Sequence, residues 1–137
     1  MKAFLLDTHV WIWYINGSEE LSKSSKKTIN QALHDRTVWL AAISLWEMSM
    51  LVKRKRIILE MPCLEWINQS IATTHMQIKQ LTPEIAAESC NLPGSFHGDP
   101  ADCLITATAR VEGLTLFTRD TKLIEYSKQK YLSVIKV

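Results

Sequence analysis

Short apolar runs alternate along this chain with longer stretches in which apolar residues recur every three or four positions. Residues 3–6 form the first run, which Asp7 ends. Residues 38–42 and 114–117 form two more, residues 76–81 alternate, and residues 132–135 close the series. Segments this short and apolar read as buried strands. Between them, Leu21, Ile29, Ala32 and Leu33 share a helical stripe over about residues 21–34, and Leu45, Met48, Leu51 and Val52 keep helical spacing over 44–53. Pro62 suits the first turn of a helix carrying Leu64, Ile67 and Ile71. Thr82-Pro83 opens another, with Ile85, Ala86, Ser89 and Cys90 as its expected buried side. Asp99-Pro100 opens a strongly apolar helix over 101–111 that Glu112-Gly113 stops, and a short helix over 121–128 follows. Strands separated by helices predict an α/β fold: a three-layer sandwich with a five-stranded parallel sheet and helices on both faces.

Composition narrows the class. The chain has 137 residues, 47% of them hydrophobic, with five tryptophans, which is unlike a disordered polymer. A single domain over residues 1–137 is expected. The first apolar run is cut by Asp7 and His9, too early for a bilayer span or a signal-peptide core. A cytoplasmic location without membrane contact is therefore expected. Cys63, Cys90 and Cys103 are odd in number and contain no C-x-x-C pair, against both a disulfide framework and a zinc site. Buried thiols in a reducing compartment are the expectation. Lys+Arg number 16 against 14 Asp+Glu, a net charge of +2. Any nucleic-acid contact must then come from a local patch and not from a global field.

Four acids stand where predicted strands end or in the first turn of a following helix: Asp7, Glu47, Asp102 and Asp120, with Asp99 beside Asp102. In an open parallel sheet these positions gather beyond the carboxyl edge, where ligands bind. Crowded carboxylates repel one another and hold some of their number protonated, a conflict that a divalent cation removes. Oxygen donors without a Cys or His partner point to a hard ion, Mg²⁺ or Mn²⁺. Such a site typically reads phosphate oxygens, which suggests metal-assisted phosphodiester hydrolysis. Each acid also has a plainer reading. Ser44-x-x-Glu47 fits a capping box, Asp99-Pro100-Ala101-Asp102 nearly fits another, and Asp120 suits the cap of a helix starting at Thr121. An acid at a helix start gains about 0.3–1 kcal/mol from the dipole alone. Asp7 lacks such a role: it lies between Phe4-Leu5-Leu6 and Val10-Trp11-Ile12-Trp13 without an evident basic partner, a costly place for a lone carboxylate.

Four blocks carry a resemblance: Leu5-Leu6-Asp7-Thr8; Ser44-Leu45-Trp46-Glu47; Asp99-Pro100-Ala101-Asp102-Cys103-Leu104-Ile105-Thr106-Ala107-Thr108-Ala109; and Leu116-Phe117-Thr118-Arg119-Asp120. In this order they resemble the PIN-domain family, and within it the VapC toxins of bacterial type II toxin–antitoxin pairs. The resemblance implies a five-stranded parallel sheet and an acidic Mg²⁺ or Mn²⁺ pocket that cuts single-stranded or loop RNA. It implies that Asp7, Glu47, Asp102 and Asp120 are the catalytic acids, that Asp7, Asp99, Asp102 and Asp120 face the metal, and that Thr8 and Thr118 support the first and fourth acids. Ser44 joins them as a supporting residue. It also implies a VapB-like antitoxin as partner and a homodimer. Cys103 departs from the pattern, standing where many relatives with this turn carry Arg.

Several other features are ambiguous on sequence alone. Lys53-Arg54-Lys55-Arg56 suits either a solvated helix end or an RNA-guiding patch. Arg119 and Lys122 flank Asp120 and suit either substrate phosphate or charge balance. Trp11 and Trp13 read as core, His97 as a loop hydrogen-bonder, and His9, His34 and His75 join no constellation. Two rival functions share the expected architecture. One is a binding module of the same fold without catalysis. The other is a phospho-accepting receiver domain, which wants adjacent acids after the first strand and an Asp ending the third, where this chain has Thr8-His9 and Gln80-Leu81.

Overall fold

The computed structural model describes residues 2–137. Its five strands, β1 (Phe4–Leu6), β2 (Val38–Ala41), β3 (Gln77–Lys79), β4 (Thr115–Thr118) and β5 (Val134–Lys136), form one parallel sheet in the order β3-β2-β1-β4-β5. The first strand is thus central, pairing Leu5 with Trp39 on one side and with Leu116 on the other. A strand flanked on both edges and covered on both faces has no wet side, which is why β1 reads as a continuous apolar run. Successive side chains take opposite faces. Leu6 and Phe117 join Val10, Trp11, Ile29 and Trp66 on one face, while Leu5 and Leu116 join Ile105, Ala109, Leu123 and Tyr126 on the other.

Among the described residues seven helices connect and cover the sheet: α1 (Thr8–Ile15), α2 (Lys23–His34), α3 (Ala42–Lys53), α4 (Cys63–Thr74), α5 (Pro83–Ser89), α6 (Pro100–Glu112) and α7 (Thr121–Lys128). Helix α6 ends at Gly113, whose φ of 67° is left-handed backbone that glycine adopts without a Cβ clash. The three-layer α/β arrangement agrees with the sequence reading, and the strand order departs from the 2-1-3-4-5 order of receiver domains, removing that rival. Among the described residues no helix is long and apolar enough to cross a membrane.

Local expectations are corrected in four places. Helix α1 was not expected, because Val10, Trp11 and Ile12 are all buried and the run carries no polar face to betray its period. Helix α3 begins at Ala42 and takes Ala41 as its N-cap with no side-chain capping bond, so the Ser44–Glu47 capping box does not form. Glu47 consequently lies beyond the first turn. On α5 only Ile85 is buried; Ala86 and Cys90 are exposed and Ser89 is partly so. The thiols are not buried either: Cys90 is exposed, and Cys63 and Cys103 are intermediate.

Candidate active site

Asp7 is the single residue between β1 and α1, with an extended backbone that makes it the N-cap of α1. The capping role of Asp7 is hidden in the sequence because the apolar run after it conceals α1. Its N–H donates to the Phe117 carbonyl of β4 at 3.0 Å, which fixes the acid at the carboxyl edge of the sheet. Its Oδ1 accepts from the Thr8 N–H at 2.9 Å and its Oδ2 from the Thr118 hydroxyl at 2.6 Å. Burial pushes the Asp7 carboxyl up from its ordinary range and Asp120 adds to this, while Thr118, Thr8 and His9 oppose it.

Thr118 is fully buried and also accepts the Asp120 N–H at 3.0 Å, so one hydroxyl serves the first and fourth acids together. Asp120 in turn caps α7, accepting from the Lys122 N–H at 2.8 Å. Thr118→Val keeps the shape and removes the donor, leaving Asp7 Oδ2 without its partner. A loss of about 1–3 kcal/mol is expected, read by urea denaturation near neutral pH; no loss would show the bond to be dispensable.

Thr8 does something other than what its resemblance implied. Its backbone serves Asp7, but its buried hydroxyl donates to Glu47 Oε1 and lies 2.8 Å from Ser44 Oγ. Thr8 has one hydroxyl proton, committed to Glu47, so Ser44 is the donor in the second bond. Ser44 is therefore a supporting residue through Thr8 and not through a cap. Burial raises the Glu47 carboxyl above its usual range, with Asp7 and Asp99 adding to the rise and Thr8 and His9 lowering it.

At the start of α6 the capping box expected in outline is complete. The Asp102 N–H donates to Asp99 Oδ1 at 2.8 Å and the Asp99 N–H to Asp102 Oδ2 at 3.3 Å. Gly98 is required just before it, since a Cβ there would stand 2.7 Å from the Asp102 Cβ and 2.6 Å from the Phe96 ring. Asp102 is pushed up to about 7, first by burial, then by Asp99, Asp120 and Asp7. Its neighbour Cys103 brings no cation; the thiol is turned to the Gly98 carbonyl at 3.7 Å and burial raises it.

The five acids thus act on one another across β1, α3, α6 and the end of β4: Asp7 with Asp120, Glu47 with Asp7 and Asp99, Asp102 with Asp99, Asp120 and Asp7. None of them takes part in an ion pair among the described residues. Carboxylates crowded together without an ion-pair partner can accommodate a cation, which would relieve their repulsion. The donors are carboxylate oxygens, which suits a hard divalent ion. No three His, Cys, Asp or Glu side chains among the described residues close directly around one point. Mg²⁺, which binds through one or two carboxylates and keeps several waters, suits so open a set.

Around this pocket the basic groups divide. Arg119 is held by Glu20, through an ion pair of 2.7 Å and a bond to its carbonyl, and by the Val137 carbonyl at 3.1 Å. Its guanidinium is thereby committed to joining the 16–22 loop to the sheet rather than to phosphate. Lys122 is exposed, and its amine has no partner among the described residues. Residues 53–56 form a solvated helix end without ion pairs. His9, which joins no constellation on sequence alone, stands in the fold where its imidazole favours the ionised forms of both Asp7 and Glu47. The available signal was its place two residues after the acid, in a helix not recognised as one.

Comparison with known proteins places these features in context. The sequence profile of the PIN domain matches residues 4–129. The chain is 37% identical over 134 residues to Ribonuclease VapC22 of Mycobacterium tuberculosis, covering 98% of this chain and 99% of that one. Among solved structures it resembles the complex VapBC2 from Rickettsia felis bound to a promoter DNA fragment, with a TM-score of 0.74, 16% identity and 98% of each chain covered. It also resembles VapBC-5, a toxin–antitoxin system of Mycobacterium tuberculosis, with a TM-score of 0.64, 16% identity and full coverage of both chains. At such identities the two structures speak for the fold.

Proposed function

The chain belongs to the PIN-domain family, and from that membership we propose that it is a VapC-type toxin, a divalent-metal-dependent endoribonuclease restrained by a VapB-like antitoxin. The ribonuclease similar to it over nearly its whole length supports the reaction, and the toxin–antitoxin complexes that share its fold support the partner. The observation that carries the reading is the set of acids that repel one another at the carboxyl edge with no cationic side chain paired to them.

Asp7 and Asp102 would hold the ion, with Asp99 and Asp120 beside them. When bound, the cation supplies Lewis-acid stabilisation of charge on the phosphoryl oxygens and makes water easier to deprotonate. The chain's own groups do the rest. Thr118 fixes Asp7 and, through the backbone, Asp120, so both acids are set before substrate arrives. Thr8 holds Glu47 by Oε1, leaving Oε2 as the oxygen that accepts a proton from the attacking water. Lys122, exposed beside Asp120 and without a partner among the described residues, would meet a substrate phosphate. Incubation of labelled RNA with the protein and Mg²⁺, Mn²⁺ or chelator tests the reading. Cleavage with either ion and none in chelator is expected; cleavage that survives chelation, or that persists in Asp7→Ala, would overturn it.

A further inference from the structure

We propose that His9, braced on Trp13, is the stacking platform for an unpaired nucleobase of the strand that enters the acidic pocket. The inference rests on the ribonuclease reading and deepens it. Residues 9 and 13 stand one turn apart on α1, and their ring centroids are 5.9 Å apart with planes tilted by 50°. The Arg119 guanidinium packs on the same Trp13 ring, 4.7 Å from its centroid. Because Glu20 and Val137 hold that guanidinium, the Trp13 ring that His9 meets at a tilt is anchored. The His9 residue itself is exposed, and neither of its nitrogens finds a partner among the described residues. The pair borders the pocket, since His9 directly follows Thr8, whose backbone N–H donates to Asp7 Oδ1 and whose hydroxyl donates to Glu47.

An exposed planar ring backed by an aromatic and an immobilised guanidinium is what single-stranded nucleic acids stack upon, because every base offers a π-face. The anchored Trp13 limits the freedom of the His9 ring before a base arrives, which reduces the ordering cost of binding. A phosphate would instead be met by the exposed Lys122 amine.

The test uses short RNAs carrying one abasic nucleotide at successive positions around the cleavage site, cut by the wild type, His9→Ala and His9→Phe. His9→Ala is expected to raise KM by roughly 5- to 100-fold with kcat little changed, and His9→Phe to restore most of the loss. One abasic position should cost the wild type a similar factor and cost His9→Ala nothing further. If His9→Phe is as poor as His9→Ala, the imidazole merely screens the acids and the platform is wrong. Equal abasic penalties in wild type and His9→Ala would also overturn it. Should the wild type cut no RNA, the ribonuclease reading fails separately, and fluorescence anisotropy with an uncleaved strand in chelator still decides: equal binding by wild type and His9→Ala would sink the platform.

Discussion

Asp7→Asn is expected to lower RNA cleavage by about 10²–10³-fold or more, while leaving the protein in chelator at least as stable as the wild type. The two halves of this result come from different properties of one side chain. Asn keeps an oxygen for the Thr8 N–H, and Asn is as good an N-cap as Asp, so α1 retains a capping bond worth about 0.5–2 kcal/mol. The amide removes a charge that burial and Asp120 both disfavour. What it cannot replace is an anionic donor for the cation, and it keeps a bond to Thr118 only if that hydroxyl turns from donor to acceptor toward the amide nitrogen. Single-turnover cleavage and thermal denaturation in chelator check the two halves. A melting temperature several degrees lower would mean that Asp7 serves the fold more than the chemistry, and undiminished cleavage would remove it from the site.

A second large effect concerns pH. Asp7, Glu47 and Asp102 are all raised in the folded protein, so the fold retains protons that the unfolded chain releases. Their contribution to stability is complete below the ordinary carboxylate range and is lost as pH rises, for Asp102 between 3.8 and about 7. In chelator the wild type should therefore lose stability relative to Asp102→Asn across that window. Solvent screening of the partly exposed Asp102 keeps the difference on the order of 1–2 kcal/mol. The Asn side chain retains an oxygen for the Asp99 N–H, so the capping box is not the variable. A divalent cation should reverse the loss, by about 2.7 kcal/mol at a hundred times its Kd, and most strongly above neutrality where the acids are ionised. Urea denaturation at about pH 5 and about pH 8, with and without Mg²⁺, reads both effects. Parallel profiles for the two proteins, or a cation effect that is larger in acid, would refute the shared-charge account.

The strand–helix alternation was legible because β1 and β2 carry no polar residues and because Pro83, Asp99-Pro100 and Gly113 mark helix ends with chemistry that has few other uses. The acids were legible by position at the sheet's carboxyl edge: Asp99-Pro100-Ala101-Asp102 and Asp120 read at once as helix starts and as candidate ligands, and Asp7 as a carboxylate in an apolar setting. What escaped was whatever depends on α1. A helix buried on nearly every side hides its period, and with it went the cap at Asp7 and the facing of His9 toward Trp13. Thr8 and Ser44 could be named as helpers, but which acid they served depended on a contact between residues 36 positions apart. Arg119 shows the converse case: beside Asp120 both phosphate and charge balance stayed open, and only the fold reveals the Glu20 carboxylate that pairs with it.

The central place of β1 has a consequence for synthesis. Asp7 emerges early from the ribosome, yet its carboxylate is held by a hydroxyl 111 positions later, on a strand that inserts beside β1. The nascent polypeptide therefore carries a disassembled cutting edge until β4 has been made. An enzyme aimed at RNA would otherwise ripen while still tethered to its own message; here the topology delays maturation until a strand more than a hundred positions downstream has joined the sheet.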